Sequence, residues 1–204
     1  MAIKLPVPRY TYDQLRGFAA EFLRKHNPED QIPVPIEEIA ESGLGLDIIP
    51  IPGLQRAIEI DGFVSSDLSA ITVDQFVLEN RLARYRFTLA HEIAHLYLHR
   101  GIFEQLRFST IAEWKNFQLQ VDAGDYSWLE WQAYSFAGLA LVPPEHLRRE
   151  FEICAKRAEE DGLTPGSEAA LWYIVEVLTG LFQVSRGVLE KRIAKDKLWK
   201  QEGP

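Results

Sequence analysis

The spacing of apolar and polar residues divides the chain into stretches of different period. In "TYDQLRGFAAEFLRKH", residues 11–26, Leu15, Phe18, Ala19, Phe22 and Leu23 recur at helical spacing and predict an amphipathic helix. "PVPIEEIAESGLG" reads as a short helix entered through prolines and closed by glycines, with a strand to follow in "LDIIPI". From residue 57 the period shortens: "AIEIDGFVSSD" and "LSAITVD" are β-favouring runs separated by turn residues, which predict two or three antiparallel strands.

"QFVLENRLARYRFTLAHEIAHLYLHR", residues 75–100, contains neither Gly nor Pro, and its second half returns to helical spacing, with Gly101 as the expected terminus. Between 102 and 126 the signals are mixed, "FQLQVD" favouring a strand and "DAGD" a loop. "SWLEWQAYSFAGLALVPP" predicts a second helix, capped by Ser127 and stopped by the Pro143-Pro144 pair. Three more helical segments follow near 144–160, 167–182 and 185–199, and no internal repeat is present. A small sheet ahead of the motif helix, followed by helices, makes the expected class α+β.

Composition narrows this further. At 204 residues, 47% apolar and 25% charged, the chain is that of one ordinary globular domain. We read 1–142 as a core with N-terminal helices and a small sheet, and 143–204 as a helical subdomain packed on it. No apolar run reaches the ~20 residues of a membrane helix, and "MAIKLPVPRY" lacks the apolar centre of a signal peptide, so the expected location is the cytoplasm. The single cysteine, Cys154, excludes an internal disulfide framework and a Cys-based zinc site, which leaves nitrogen and oxygen as possible metal ligands. A net charge of −8 argues against wrapping a nucleic acid backbone. The stretch "RGVLEKRIAKDKLWK" carries six basic against two acidic residues and reads as a solvated helix face.

Candidate chemistry concentrates in "RFTLAHEIAHLYLH", residues 86–99, which holds three of the five histidines. On a helix His91 and His95 lie one turn apart on the same face, so their imidazoles can converge on one ion. Zinc suits them, accepting imidazole nitrogen at about 2.0–2.1 Å. Glu92 points beside such an ion, where a carboxylate can take a proton from metal-activated water and pass it to the leaving amine. This division of labour is the reason for the H-E-x-x-H spacing of metalloproteases. The competing structural reading is a set of histidines hydrogen-bonded at the edge of a core.

A rise of about 12 Å separates His99 from His91, so His99 cannot share the ion; it either braces a ligand from behind or lies on the surface without a role. A third ligand is expected from elsewhere. In "SWLEWQAYSFAGLAL", Glu130, Ala133, Ala137 and Ala140 fall on one face, and the small residues, with Ala90 and Ala94 on the motif helix, permit close packing that would deliver Glu130 to the histidines. Glu104, Glu113, Asp122 and Asp125 are competing carboxylates that spacing does not exclude. Tyr97, His99, Tyr126 and Tyr134 are the candidates for stabilising a developing oxyanion.

"RFTLAHEIAHLYLH", "LEWQAYSFAGLALVPPEHL" and "LTGLFQVSRGVLEKRI" resemble, in order and spacing, the ImmA/IrrE family of metallo-endopeptidases, and the resemblance covers roughly residues 34–195. "AITVD" and "IEEIAESGLGLDI" also look like family features. The resemblance implies a thermolysin-like minimal zincin core, in which a small antiparallel or mixed sheet packs on the motif helix and additional helices follow. It implies His91, His95 and Glu130 as zinc ligands and Glu92 as general base. It further implies cleavage of helix-turn-helix repressors that control mobile-element or stress-response genes. Tyr134 stands where the family usually has Asn, and Ala94 where Gly is frequent. No N-terminal DNA-binding domain is apparent, so recognition is expected to depend on the partner protein.

Two other classes of function compete with a zinc endopeptidase. One is a non-catalytic repressor-binding sensor or anti-repressor that retains the fold. The other is a DNA reader using the Val184-Ser185 turn and the basic helix after it, against which the acidic balance of the chain weighs.

Overall fold

The computed structural model describes residues 2–65, 67–105 and 111–199. An extended arm leads into helix α1 (Tyr12–His26), which starts where Thr11 and Gln14 exchange reciprocal cap hydrogen bonds. Its buried residues, Leu15, Ala19 and Phe22, are the inner part of the predicted stripe. The next helix, α2 (Ile36–Glu38), widens into a π-helical turn, Ile39–Gly43, and gives way to strand β1 (Asp47–Ile51).

The sheet contains the expected antiparallel pair, and strand β1 makes it mixed. Leu54–Ile58 forms helix α3, ended by Glu59 in the left-handed conformation, so "AIEI" is not a strand. Strands β2 (Gly62–Val64) and β3 (Ala70–Asp74) pair antiparallel, and β1 pairs parallel with β3, giving a mixed sheet of order β1-β3-β2. Central β3 is buried along its whole length, and β2 forms an edge.

Asp74 ends β3 and caps helix α4 (Gln75–Asn80) through the Val77 amide while also accepting from the Gln55 amide. Those backbone donors outweigh burial and hold its carboxyl below the ordinary carboxylate range. After a break at Arg81 the motif helix α5 (Leu82–Phe103) begins. It runs past Gly101, because a glycine inside a helix costs only about 1 kcal/mol and Ile102, beyond it, is buried. Helix α5 is covered on one side by β2 and β3 and on the other by α7 (Ala123–Leu141), which explains why its apolar residues do not form a single stripe.

Residues 106–110, within the stretch of mixed signals, lie outside the described residues. The expected strand "FQLQVD" is instead the end of helix α6 (Ile111–Gln120), with Val121 in an isolated parallel bridge to Ile3. Asp122, not Ser127, caps α7, accepting from the Gly124 and Asp125 amides at 3.1 and 3.2 Å. A carboxylate at the start of a helix also answers its positive dipole end, an advantage a serine lacks.

Three helices follow, α8 (Pro144–Glu160), α9 (Glu168–Phe182) and α10 (Arg186–Lys195), the last ending before residue 199. The basic stretch is not wholly a solvated face. Arg192 is buried; it pairs with Asp196 and donates to the Val142 carbonyl and the Tyr12 hydroxyl. The fold is α+β, and one continuous hydrophobic core takes in α1, the sheet, α5, α7 and the C-terminal helices.

Candidate metal centre

Helix α5 sets His91 and His95 one turn apart, with their Nε2 atoms 3.0 Å from each other. The Ala90, Ala94, Ala133, Ala137 and Ala140 side chains are all buried in the core that α5 and α7 share. Close packing of the two helices brings Glu130 over the pair, its Oε2 3.2 Å from His91 Nε2 and its Oε1 3.6 Å from His95 Nε2. Two ligands of tetrahedral zinc at bond lengths of about 2.0–2.1 Å stand about 3.3 Å apart, a value these three separations bracket. Among the described residues this is the one cluster with the spacing of a metal site. Nitrogen, nitrogen and carboxylate oxygen also form the donor set of a catalytic zinc with an open position.

The other carboxylates are committed elsewhere. Asp125 accepts from Arg9 and the Leu5 amide, Asp122 caps α7 and pairs with Lys4, and Glu104 pairs with Arg100. Glu113 is exposed on α6 and lies outside the cluster.

Burial and neighbouring charge separate the protonation of these groups. Burial pushes the Glu92 carboxyl up to about 8; the His91 charge and the Val64 amide oppose the rise, and the nearby Glu130 carboxylate adds to it. Burial, reinforced by His91 and His99, holds His95 well below the ordinary histidine value, so it is neutral. At His91 burial favours the neutral ring, but the hydrogen bond to Glu130 and the charges of Glu92 and Glu130 win and raise its pKa.

His99 is the histidine whose position was open. It is buried, its Nδ1 lies 3.2 Å from His95 Nδ1, and its Nε2 lies 3.2 Å from Gln132 Oε1. Gln132 in turn donates to the Pro8 carbonyl at 2.6 Å. If His95 presents a bare Nε2 to the ligand cluster, its Nδ1 carries the proton and donates to His99, which donates onward to Gln132. Each donor then meets an acceptor in one direction along the chain, and burial lowers His99 to about 4, consistent with a neutral ring. Neither Gln132 nor Pro8 was evident as a contributor, because nothing periodic relates them to the motif. The one available signal was an amide side chain two residues after Glu130, in the interior of a largely apolar helix.

The cluster lies in a cleft of about 510 Å³ with apolar walls that include Leu5, Phe63, Phe103 and Leu129. Of the four oxyanion candidates, Tyr126 and Tyr134 line this cleft. Tyr97 packs instead against Phe22 and Phe136, and His99 lies behind His95. The edge strand β2 forms the rim beside Glu92. Ser65 donates to the Ala70 carbonyl and Asp74 to the Asp61 carbonyl, so by antiparallel alternation Gly62 and Val64 turn their backbone groups away from β3. Gly62 allows this closeness: a Cβ there would meet the Thr72 carbonyl and the Thr88 methyl, each at 2.7 Å.

A family model described as peptidase M78, the IrrE N-terminal-like domain, matches residues 44–194. The chain belongs to this family. The matched span runs from just before β1 to the end of α10 and contains the whole His91, Glu92, His95 and Glu130 constellation. The resemblance noted in the sequence is therefore one of family, and the peptidase-type IrrE fold is what the helices and mixed sheet build. No curated protein matches the chain. Among solved structures, a Mycobacterium tuberculosis transcriptional regulator aligns with a TM-score of 0.57 and 12% identity, over 90% of this chain and 58% of that one. The likeness is one of fold, and this chain spans less than two thirds of that regulator.

Proposed function

We propose that the chain is a zinc-dependent endopeptidase that hydrolyses a peptide bond in a regulatory protein, its expected substrate class being a helix-turn-helix transcriptional repressor. One observation carries the reading: His91, His95 and Glu130 meet at zinc-ligand separations with Glu92 beside them on the wall of a cleft. Zinc held there would supply a Lewis acid that lowers the pKa of water and polarises the scissile carbonyl.

The remaining work falls to the side chains and backbone. Glu92 accepts the proton of the attacking water and returns it to the leaving amine. The outward backbone groups of Gly62 and the Val64 carbonyl can hydrogen-bond an extended substrate as a further strand, fixing the scissile bond beside Glu92. Leu5, Phe63 and Phe103 keep bulk water from that bond. Tyr126 or Tyr134 donates to the developing oxyanion.

A regulatory substrate is supported by the family resemblance and by the shared fold with a protein described as a transcriptional regulator. A repressor target implies work in the cytoplasm, in keeping with the lack of any described helix long and apolar enough to cross a membrane. The test compares zinc content and repressor cleavage in the wild type and Glu92→Gln. A purified chain that binds no transition metal would sink the reading. A Glu92→Gln variant that still controls the target gene would favour a non-catalytic regulator.

A further inference from the structure

Beside the cleft a second groove, of about 540 Å³, runs between the start of α1, the middle of α7 and the outer face of α10. Tyr134 and Val188 border both, so the groove continues the cleft. Its walls are aromatic, from Tyr12, Trp131 and Tyr134, and its rim is basic. Lys191 Nζ lies 4.4 Å from the Tyr134 ring centroid and 3.0 Å from its hydroxyl, and Lys195 Nζ lies 5.3 Å from the Tyr12 centroid.

These two lysines are set apart by what they lack. The carboxylates nearest in sequence are taken: Asp196 by Arg16 and Arg192, and Glu190 by Arg186. Among the described residues no carboxylate pairs with Lys191 or Lys195, although the chain as a whole carries a net charge of −8. A groove presenting two uncompensated cations over aromatic faces is complementary to carboxylates interspersed with apolar side chains. The net charge of −8 on the chain disfavours such a segment on the surface at large, which leaves this basic rim as the favourable place for it.

We propose that this groove binds an acidic segment of the substrate protein, in the same extended chain whose scissile bond enters the cleft. Lys191 and Lys195 pair with its carboxylates, and Trp131 and Tyr12 take an aromatic or aliphatic side chain between them. The inference rests on the peptidase reading of the cleft, and it names a recognition element for the substrate outside the bond that is cut.

The test is fluorescence anisotropy on the full chain carrying Glu92→Gln, so that nothing is cleaved. The probes are a labelled short peptide of alternating Glu and Phe, its Lys and Phe counterpart, and an oligothymidylate of similar length. The acidic peptide is expected to bind at least about tenfold more tightly than the basic one, with an affinity that falls as salt rises. Adding Lys191→Glu and Lys195→Glu should reverse that preference, while Lys191→Gln with Lys195→Gln removes it; circular dichroism melting confirms that the variants fold. Equal affinity for the two peptides, no change on charge reversal, or tighter binding of the oligothymidylate would overturn the proposal. The two readings fail separately. A chain that cleaves its substrate but ignores charge reversal sinks this inference alone; one that takes up no zinc yet holds the acidic peptide through these lysines sinks the peptidase reading alone.

Discussion

His95 is held from behind by a run of hydrogen bonds that only a neutral ring with its proton on Nδ1 satisfies throughout. His99→Phe keeps the volume of that buried ring and removes the acceptor. Zinc affinity is expected to fall by about 10- to 100-fold in this variant, read by competition with a chromophoric chelator, whereas an unchanged affinity would make His99 a packing residue. At Glu92 the expectation concerns pH. In the chelator-treated chain burial holds the carboxyl at about 8, against an ordinary value of 4.5. Below the ordinary value both folded and unfolded chains are protonated there. Between the two values the unfolded chain ionises and the folded chain does not, so stability falls as pH rises through this window. Glu92→Gln removes the penalty. In urea melts without metal the variant should exceed the wild type by a margin that widens from pH 5 to pH 8, reaching on the order of a few kcal/mol. A margin independent of pH would contradict this account of Glu92.

The close approach of β2 to α5 hangs on Gly62, where a methyl group would strike a backbone carbonyl and the Thr88 side chain. Gly62→Ala is expected to cost about 1–3 kcal/mol and to lower cleavage more than zinc affinity, because it displaces the strand beside Glu92 and leaves α5 and α7 in place. Equal losses in both would show that the strand and the ligand cluster are not separable. Elements of this kind were unevenly legible. The convergence of His91 and His95 on α5 could be read because helical geometry turns a spacing of four into a direction, and the approach of Glu130 because its face of α7 is otherwise small residues. Local patterns misled where they were short. "AIEI" alternates like a strand, yet Gly53 and Glu59, both with positive φ, bracket a turn of helix. Ser127 is a plausible cap by type, but the helix starts a turn earlier at a carboxylate. The link from His99 through Gln132 to Pro8 crosses 33 and then 124 positions, and no local pattern encodes contacts at such separations.

Across the whole molecule, Arg192 ties the C-terminal helices to the rest, joining α10 to the carbonyl at the end of α7 and to the first turn of α1. Arg192→Ala leaves the buried Asp196 carboxylate with only Arg16 and leaves the Val142 carbonyl without this donor, and is expected to cost about 3–5 kcal/mol in chemical denaturation. A loss below about 1 kcal/mol would mean that the C-terminal helices are held by apolar packing alone. The same integrity is what lets α7 carry Glu130 to the histidines of α5, on which the proposed activity rests. The measurement that bears most directly on that activity is digestion of a candidate repressor by zinc-loaded wild type and Glu92→Gln side by side, with zinc content determined on the same samples. The expected result is about one zinc per chain in both proteins and cleavage slowed by about 10²- to 10⁴-fold or abolished in Glu92→Gln. Cleavage at the wild-type rate by the Glu92→Gln protein would contradict the account.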